Sequence, residues 1–204
     1  SDVVIVSIFV NPAQFNDKRD LDKYPRDLTA DAAVLADYQV DYIFAPDEAE
    51  IYASGFSTYV YVEGLTETLE GASRPGHFRG VATIVTILFN TIRPDFAFFG
   101  QKDAQQIAVI KRLTPDLGFD TEIVAMPIVG EESGLAMSSR NSRLSESERQ
   151  SAAIIYQALK AAKQAVKNGE RNGLKISEIA IQTIESEPLA NIDYVAVVDN
   201  ETLE

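Results

Sequence analysis

Lys102 and Arg140 are the two cations whose neighbours suit phosphate chemistry. Lys102 stands in GQKDAQQ (100–106), directly after the apolar run DFAFFG. Gly100 lets a ligand come close to the backbone there. A helix beginning near Asp103 turns its first free N–H groups toward an anion beside Lys102. Asp103 can cap that helix or accept from sugar hydroxyls, and Gln106 lies one turn on, facing the same rim. The plainer alternative is an ordinary helix entry, with Lys102 solvated, since the spacing is not that of a Walker loop. Arg140 belongs to GLAMSSRN (134–141), where Ser138 and Ser139 offer donors and the guanidinium offers a fork suited to phosphate. Here the alternative is a polar approach to a helix capped at Ser145. That accounts for SESER (145–149) but not for residues 137–140.

Two further stretches carry polar groups at turns. SIFVNPAQF (7–15) places Gln14 just past the end of an apolar strand, either as a surface amide or as a ligand contact. EGASRPGHFRG (70–80) holds Arg74, His77 and Arg79. Its arginines could bind a carboxylate or phosphate, or simply keep the loop soluble, and a lone loop histidine is more often structural than catalytic. The chain has no cysteine and this single histidine. Disulfides and thiolate metal sites are thereby excluded, and a His-based metal site or a Ser-His-Asp triad is disfavoured; no metal ligands are assigned.

Thirty-one acidic against 18 basic residues give a formal charge of −13. That sign disfavours nucleic acid or an anionic membrane as the main partner, but leaves room for a small anion in a local basic pocket. No apolar run approaches the ~18–20 residues a bilayer span needs. The opening SDVVIVSIFVNP lacks a basic flank and reads as a strand rather than a signal peptide. This composition fits a cytoplasmic protein.

The elements that must position these residues follow from periodicity. DVVIVSIFV (2–10), VDYIFAP (40–46), DFAFFG (95–100) and TEIVAMPIV (121–129) are short apolar runs suited to strands covered on both faces. STYVYVE (57–63) alternates, as an exposed or pairing strand does. Helical spacing marks residues 25–38 and 103–113, and 81–92, apolar on most sides, is long enough for a buried helix although its β-branched content leaves a strand open. Strand and helix alternate four times, which predicts a parallel α/β sheet with right-handed crossovers and ligands beyond the carboxyl ends of the strands. Gln14, the 100–106 stretch and the segment after Val129 are expected on that one rim. Beyond about residue 130 the character changes. A long helix over 145–167 starts with the S-x-x-E spacing of a capping box and stops at Gly169. A helix near 176–186 and a strand at 192–199 complete a smaller lobe.

Taken together, SIFVNPAQF, YPRDL (24–28), LEGASRPGHFRGV (69–81), PDFAFFGQKDAQQ (94–106) and GLAMSSRN, in this order, closely resemble the pantoate–β-alanine ligases. The resemblance runs along essentially the whole chain. It implies a Rossmann-like parallel sheet of the HxGH nucleotidyltransferase type with a small C-terminal α+β lobe. Residues 1–129 would be the nucleotide- and pantoate-binding domain and residues 130–204 a lid. The implied reaction joins pantoate to β-alanine through a pantoyl adenylate, with ATP consumed as a substrate accompanied by Mg2+ and with no tightly bound cofactor. The resemblance further implies a homodimer, for which 57–63 is the expected interface strand. Lys102 and Arg140 would be catalytic. Gly100, Gln101, Lys102, Asp103, Val129, Met137, Ser138, Ser139 and Arg140 would bind ATP, with Val129 meeting adenine through its backbone. Gln14 and Gln106 would hold pantoate, and Gln14 would lie near β-alanine. Another nucleotidyltransferase or acid-adenylating enzyme of this fold is the alternative function, and an inactive α/β unit a third.

Family members also carry an early P-T-M-G-x-L-H-x-G-H segment, which nothing here matches, and a final stretch beyond VDNETLE. The chain is therefore expected to align from the family's second strand onward. A polypeptide of these 204 residues alone is expected not to make pantothenate.

Overall fold

A computed structural model describes residues 2–203. Strands and helices alternate as the α/β reading requires, and the chain gathers into two compact units. The first takes the chain up to Phe96 together with Val109–Glu122; the second takes Ala97–Ala108 and the chain from Ile123 on.

In the first unit, β1 (Ile5–Ser7) pairs in parallel with β2 (Tyr42–Phe44), Ile5 opposite Tyr42 and Ser7 opposite Phe44. Between them lie α1 (Lys18–Asp22) and α2 (Leu28–Ala36), each started by an aspartate, Asp17 or Asp27, that accepts from a first-turn N–H. β1 is shorter than the run at 2–10 predicts. The Val4 N–H goes to the Asp41 carboxylate at 2.8 Å, so a side chain takes the donor that a longer ladder would use. After β2 come the short helices α3 (Glu48–Ile51) and α4 (Glu70–Ser73).

The core of this unit is α5 (His77–Ile92). Phe78, Val81, Ala82, Val85 and Phe89 repeat at three- and four-residue steps and all are buried, and Gly80, Thr83 and Ile84 are buried beside them, so the helix is covered on most sides through its first half. Its C-cap Arg93 takes a left-handed φ of 53° directly before Pro94, which cannot continue the helix. Phe89 meets Phe119 edge to face at 5.4 Å.

β3 (Phe96–Gly100), α6 (Ala104–Asp116) and β4 (Glu122–Met126) follow, and the division between units runs through all three. β3 pairs with β4. Among the described residues the strands thus form two pairs, where the sequence predicted one continuous sheet. A two-stranded pair leaves its faces more open than a central strand's, so Phe96 and Phe98 alternate outward, 55% and 65% exposed, instead of being covered on both sides.

The second unit also holds α7 (Glu146–Ala152), α8 (Ile154–Lys167) and α9 (Gly173–Glu185). The predicted capping box is present: Ser145 caps α7 while Glu148 reaches back to the Ser145 N–H at 2.8 Å. The helix expected over 145–167 is two helices, because a tight turn at buried Ala153 sends its N–H to Gln150 at 3.2 Å. Gly169 takes φ 102° just past the α8 C-cap, as its glycine permits. α8 and α9 pack on each other, burying Ala158, Ile176 and Ala180.

Two expected strands are absent among the described residues. At 57–63, the Val60 N–H goes to the Thr83 hydroxyl of α5 at 3.0 Å and the Arg79 guanidinium stacks 3.7 Å from the Tyr59 ring. The segment is laid on a helix whose side chains satisfy it, so its alternation reports packing rather than a ladder. At 192–199, Val197 lies beside the start of α9, close to Gly173, and no described strand pairs with it. No helix among the described residues is long and apolar enough to cross a membrane.

Candidate active site

Gln14 sits in the first unit, in a 3₁₀ turn over Pro12–Gln14 that α5 holds from behind. Asn11 caps this turn, accepting from the Ala13 N–H at 3.2 Å, and Pro12 presets the first φ. The Asn11 side chain is buried and well employed: its amide N–H donates to the Gly80 carbonyl at 3.0 Å, and its oxygen accepts from the Tyr52 hydroxyl at 2.7 Å. Gly80 is required for space. A Cβ there would overlap the Ala13 carbonyl and stand 2.9 Å from the Gln14 nitrogen, both backbone groups that cannot rotate away.

Arg74 and His77 act on the same turn. The Arg74 guanidinium donates to the Gln14 carbonyl at 3.1 Å and His77 Nδ1 lies 2.9 Å from that oxygen. A carbonyl only accepts, so Nδ1 carries the proton. Asn16 adds a bond to the Pro75 carbonyl at 2.7 Å. The R-P-G-H loop therefore fastens the backbone of Gln14. By residue type these cations suggest only solubility or anion binding, and their spacing carries no sign that a carbonyl 60 residues away is their partner.

Burial, opposed by the Asn11 bond, pushes the Tyr52 hydroxyl up to about 12. A raised folded value favours the neutral phenol in the native state. The associated stability is complete below about pH 10 and is lost as pH rises through about 12. A difference titration of wild type against Tyr52→Phe should show one tyrosine ionising at about pH 12; a missing phenol that titrates near 10 would contradict the buried pairing.

The second unit holds the other predicted residues. Gln101–Asp103 form a 3₁₀ turn that carries β3 into α6. Asp103 faces the Lys102 ammonium at 3.4 Å, with the two side chains 58% and 40% exposed. An exposed pair of that length is weak, so Lys102 is easily drawn to a stronger anion. Gly100 has an ordinary φ of −74°, and a Cβ added to it would meet open space for 4 Å, so neither the turn nor packing asks for glycine. Gln106 is half-buried in the first turn of α6.

Val129 and Met137 are brought together. Residues 129–137 form a hairpin: the Met137 N–H donates to the Val129 carbonyl at 2.9 Å, Gly130 bridges Ala136, and the Glu131 N–H donates to the Leu135 carbonyl at 2.8 Å. Gly134 closes the turn at φ 87°, with the Tyr156 ring of α8 lying where a Cβ would be. Ser138 then caps a 3₁₀ turn over Ser139–Arg143, accepting from the Arg140 N–H at 3.2 Å. Met137, Ser139 and Arg140 are exposed on this structure and Ser138 is half-buried.

Beneath the loop is a group that sequence reasoning missed. Both oxygens of Glu131 are gripped by Arg149 of α7 at 2.8 Å, and Asn141 donates to Glu131 at 2.8 Å and to the Ala136 carbonyl at 3.1 Å. The guanidinium first, then the Asn141 amide, hold the Glu131 carboxyl below the usual carboxylate range. Glu131 and Arg149 are 18 residues apart, beyond any local pattern.

Chemically, the second unit presents a loosely held ammonium beside open backbone, and a loop of hydroxyls and a guanidinium on a braced hairpin. The first presents a glutamine, Gln14, whose backbone is fastened. Such groups recognise phosphate and a polar acid. Among the described residues, no three His, Asp or Glu side chains gather as a metal site.

The chain matches the family described as pantoate-β-alanine ligase over residues 1–204. The pantothenate synthetase of Heliobacterium modesticaldum is 54% identical over 199 residues, covering 98% of this chain and 71% of the relative. That of Carboxydothermus hydrogenoformans is 55% identical, covering 97% and 70%. The crystal structure of pantothenate synthetase from Thermus thermophilus superimposes with a TM-score of 0.95 at 45% identity, over 99% of this chain and 73% of that one. A pantoate-β-alanine ligase from Francisella tularensis, complexed with β-γ ATP and β-alanine, superimposes at 0.76 with 37% identity, over 89% of this chain and 68% of that one. These agreements in sequence and backbone fix the α/β nucleotidyltransferase-like fold, and the chain belongs to the pantoate-β-alanine ligase family.

Proposed function

We propose that this protein condenses pantoate with β-alanine at the expense of ATP, through a pantoyl adenylate. The observation that carries the reading is the match across residues 1–204, with a structural relative complexed with β-γ ATP and β-alanine. A pantoate carboxylate oxygen attacks the α-phosphorus, the bond from that phosphorus to the bridging oxygen breaks, and pyrophosphate leaves. The amine of β-alanine then attacks the acyl carbon, AMP leaves with its oxygen, and the nitrogen gives up a proton. In the first step two anions must meet in line, so placement and positive charge dominate.

Each residue takes a role its surroundings support. Lys102 meets the phosphates from a loose exposed pair, and the open space above Gly100 admits the ribose beside Asp103 and Gln101. Val129 offers backbone to adenine, and Met137, Ser138, Ser139 and Arg140 close on the triphosphate. Lys102 and Arg140 stabilise charge growing on phosphate and so carry catalysis. Gln14, fastened through its carbonyl, and Gln106 hold pantoate as uncharged donors and acceptors, Gln14 near β-alanine. Mg2+ would arrive on the ATP phosphates, keeping several of its waters, and would offset their charge. The finer fold is of the HxGH type, residues 1–129 binding nucleotide and pantoate and 130–204 forming the lid. The protein acts as a cytoplasmic homodimer, with exposed Tyr59 and Tyr61 as interface side chains. AMP release by the full-length protein should require pantoate, ATP and β-alanine together. Equal release with unrelated acids would favour a different acid-adenylating enzyme.

A further inference from the structure

We propose that Glu131, locked between Arg149 and Asn141, is a positioning residue that sets the height and angle of the 137–140 loop against ATP; this rests on the reading that the loop binds ATP. Three observations carry it. First, the hairpin ladder ends at Met137, and Asn141 ties the two ends of the loop together by bonding the Ala136 carbonyl. The same amide donates to Glu131, which orients it for that bond. Second, Glu131 lies on the opposite limb of the hairpin and is itself gripped by both nitrogens of the Arg149 fork, so α7 fixes the limb that fixes the loop. Third, the Glu131 side chain is only 18% exposed while Arg149 is 48% exposed, so the carboxylate is spent on this junction rather than on solvent or ligand. At the far end of the hairpin the Tyr156 ring of α8 packs on Gly134, so the support beneath the loop is anchored at both ends.

The chain of contacts is short and directional: α7 to Glu131, Glu131 to Asn141, Asn141 to the base of the loop. Glu131→Gln keeps the shape but turns one acceptor into a donor facing a guanidinium that only donates. The loop then loses its orientation without losing any group that touches phosphate. A displacement of about 1 Å suffices to cost on the order of 10- to 100-fold where alignment limits the rate.

Steady-state kinetics on full-length protein should show Glu131→Gln raising the KM for ATP by roughly tenfold or more while the KM for pantoate stays within about twofold, at near wild-type melting temperature. Arg149→Lys, which retains charge but loses the fork, should show a smaller rise of the same kind. An unchanged ATP KM in both variants, or equal rises for ATP and pantoate with a fallen melting temperature, would overturn the positioning role. Ser139→Ala and Arg140→Ala separate this from the underlying assignment. If they raise the KM for ATP while Glu131→Gln does not, the positioning role alone is wrong; if they too leave that KM unchanged, the loop does not bind ATP and both readings fall.

Discussion

Lys102→Ala should lower kcat/KM for pantothenate formation by on the order of 10²–10³-fold while leaving the melting temperature nearly unchanged. Both halves follow from where the side chain sits. Its ammonium pairs with exposed Asp103 at 3.4 Å and is itself 40% exposed. Surface pairs of that kind contribute little to stability, about 0–1 kcal/mol. Nothing buried is orphaned when the chain is cut back to Cβ. The loss therefore falls on the reaction, where attack of one anion on another needs positive charge already in place. Steady-state rates beside a melting curve would check this. A variant that loses stability and activity in proportion would place Lys102 in the scaffold, and one with full turnover would remove it from the phosphate site.

The second large effect is expected from a residue that packs against the Gln14 turn. Gly80→Ala adds one methyl group where the α5 backbone meets the Pro12–Gln14 turn, directly against the Ala13 carbonyl. The atoms in the way are backbone, so either the helix or the turn must move. Overpacking of this kind typically costs about 1–3 kcal/mol. The movement also pulls on the bond from Asn11 to the Gly80 carbonyl and on the two donors at the Gln14 carbonyl. The expected result is a lowered melting temperature with a raised KM for pantoate. Gly173→Ala is a matched control, since its new Cβ would sit 3.6 Å from the Val197 side chain in ordinary contact. Equal tolerance of the two substitutions would contradict the close approach.

The parts of this architecture that can be read in advance share one property: their signal lies within a few residues. The apolar run from Val81 to Ile92 announces a buried helix, and the pairing of Ser145 with Glu148 announces a capped helix start. Residues 57–63 mislead because alternation reports a half-buried surface, not a ladder. Val60 finds its acceptor on Thr83 of a helix, which no window around it contains. Likewise residues 137–140 stand out as hydroxyls and a guanidinium, but the hairpin beneath them depends on Glu131 meeting Arg149 across 18 residues. Arg74 and His77 show the same limit: their residue types suggest an anion, while their partner is the Gln14 carbonyl.

The pantoyl adenylate is the centre of the proposed mechanism, and the oxygen that would join acid to phosphorus can be followed. With both carboxyl oxygens of pantoate labelled as 18O, the full-length protein should transfer one labelled oxygen to the phosphate of AMP for each pantothenate made, because the acyl C–O bond breaks in the second step. AMP free of label, with the expelled labelled oxygen found instead in inorganic phosphate or water, would contradict the adenylate route and with it the roles given to Lys102 and Arg140.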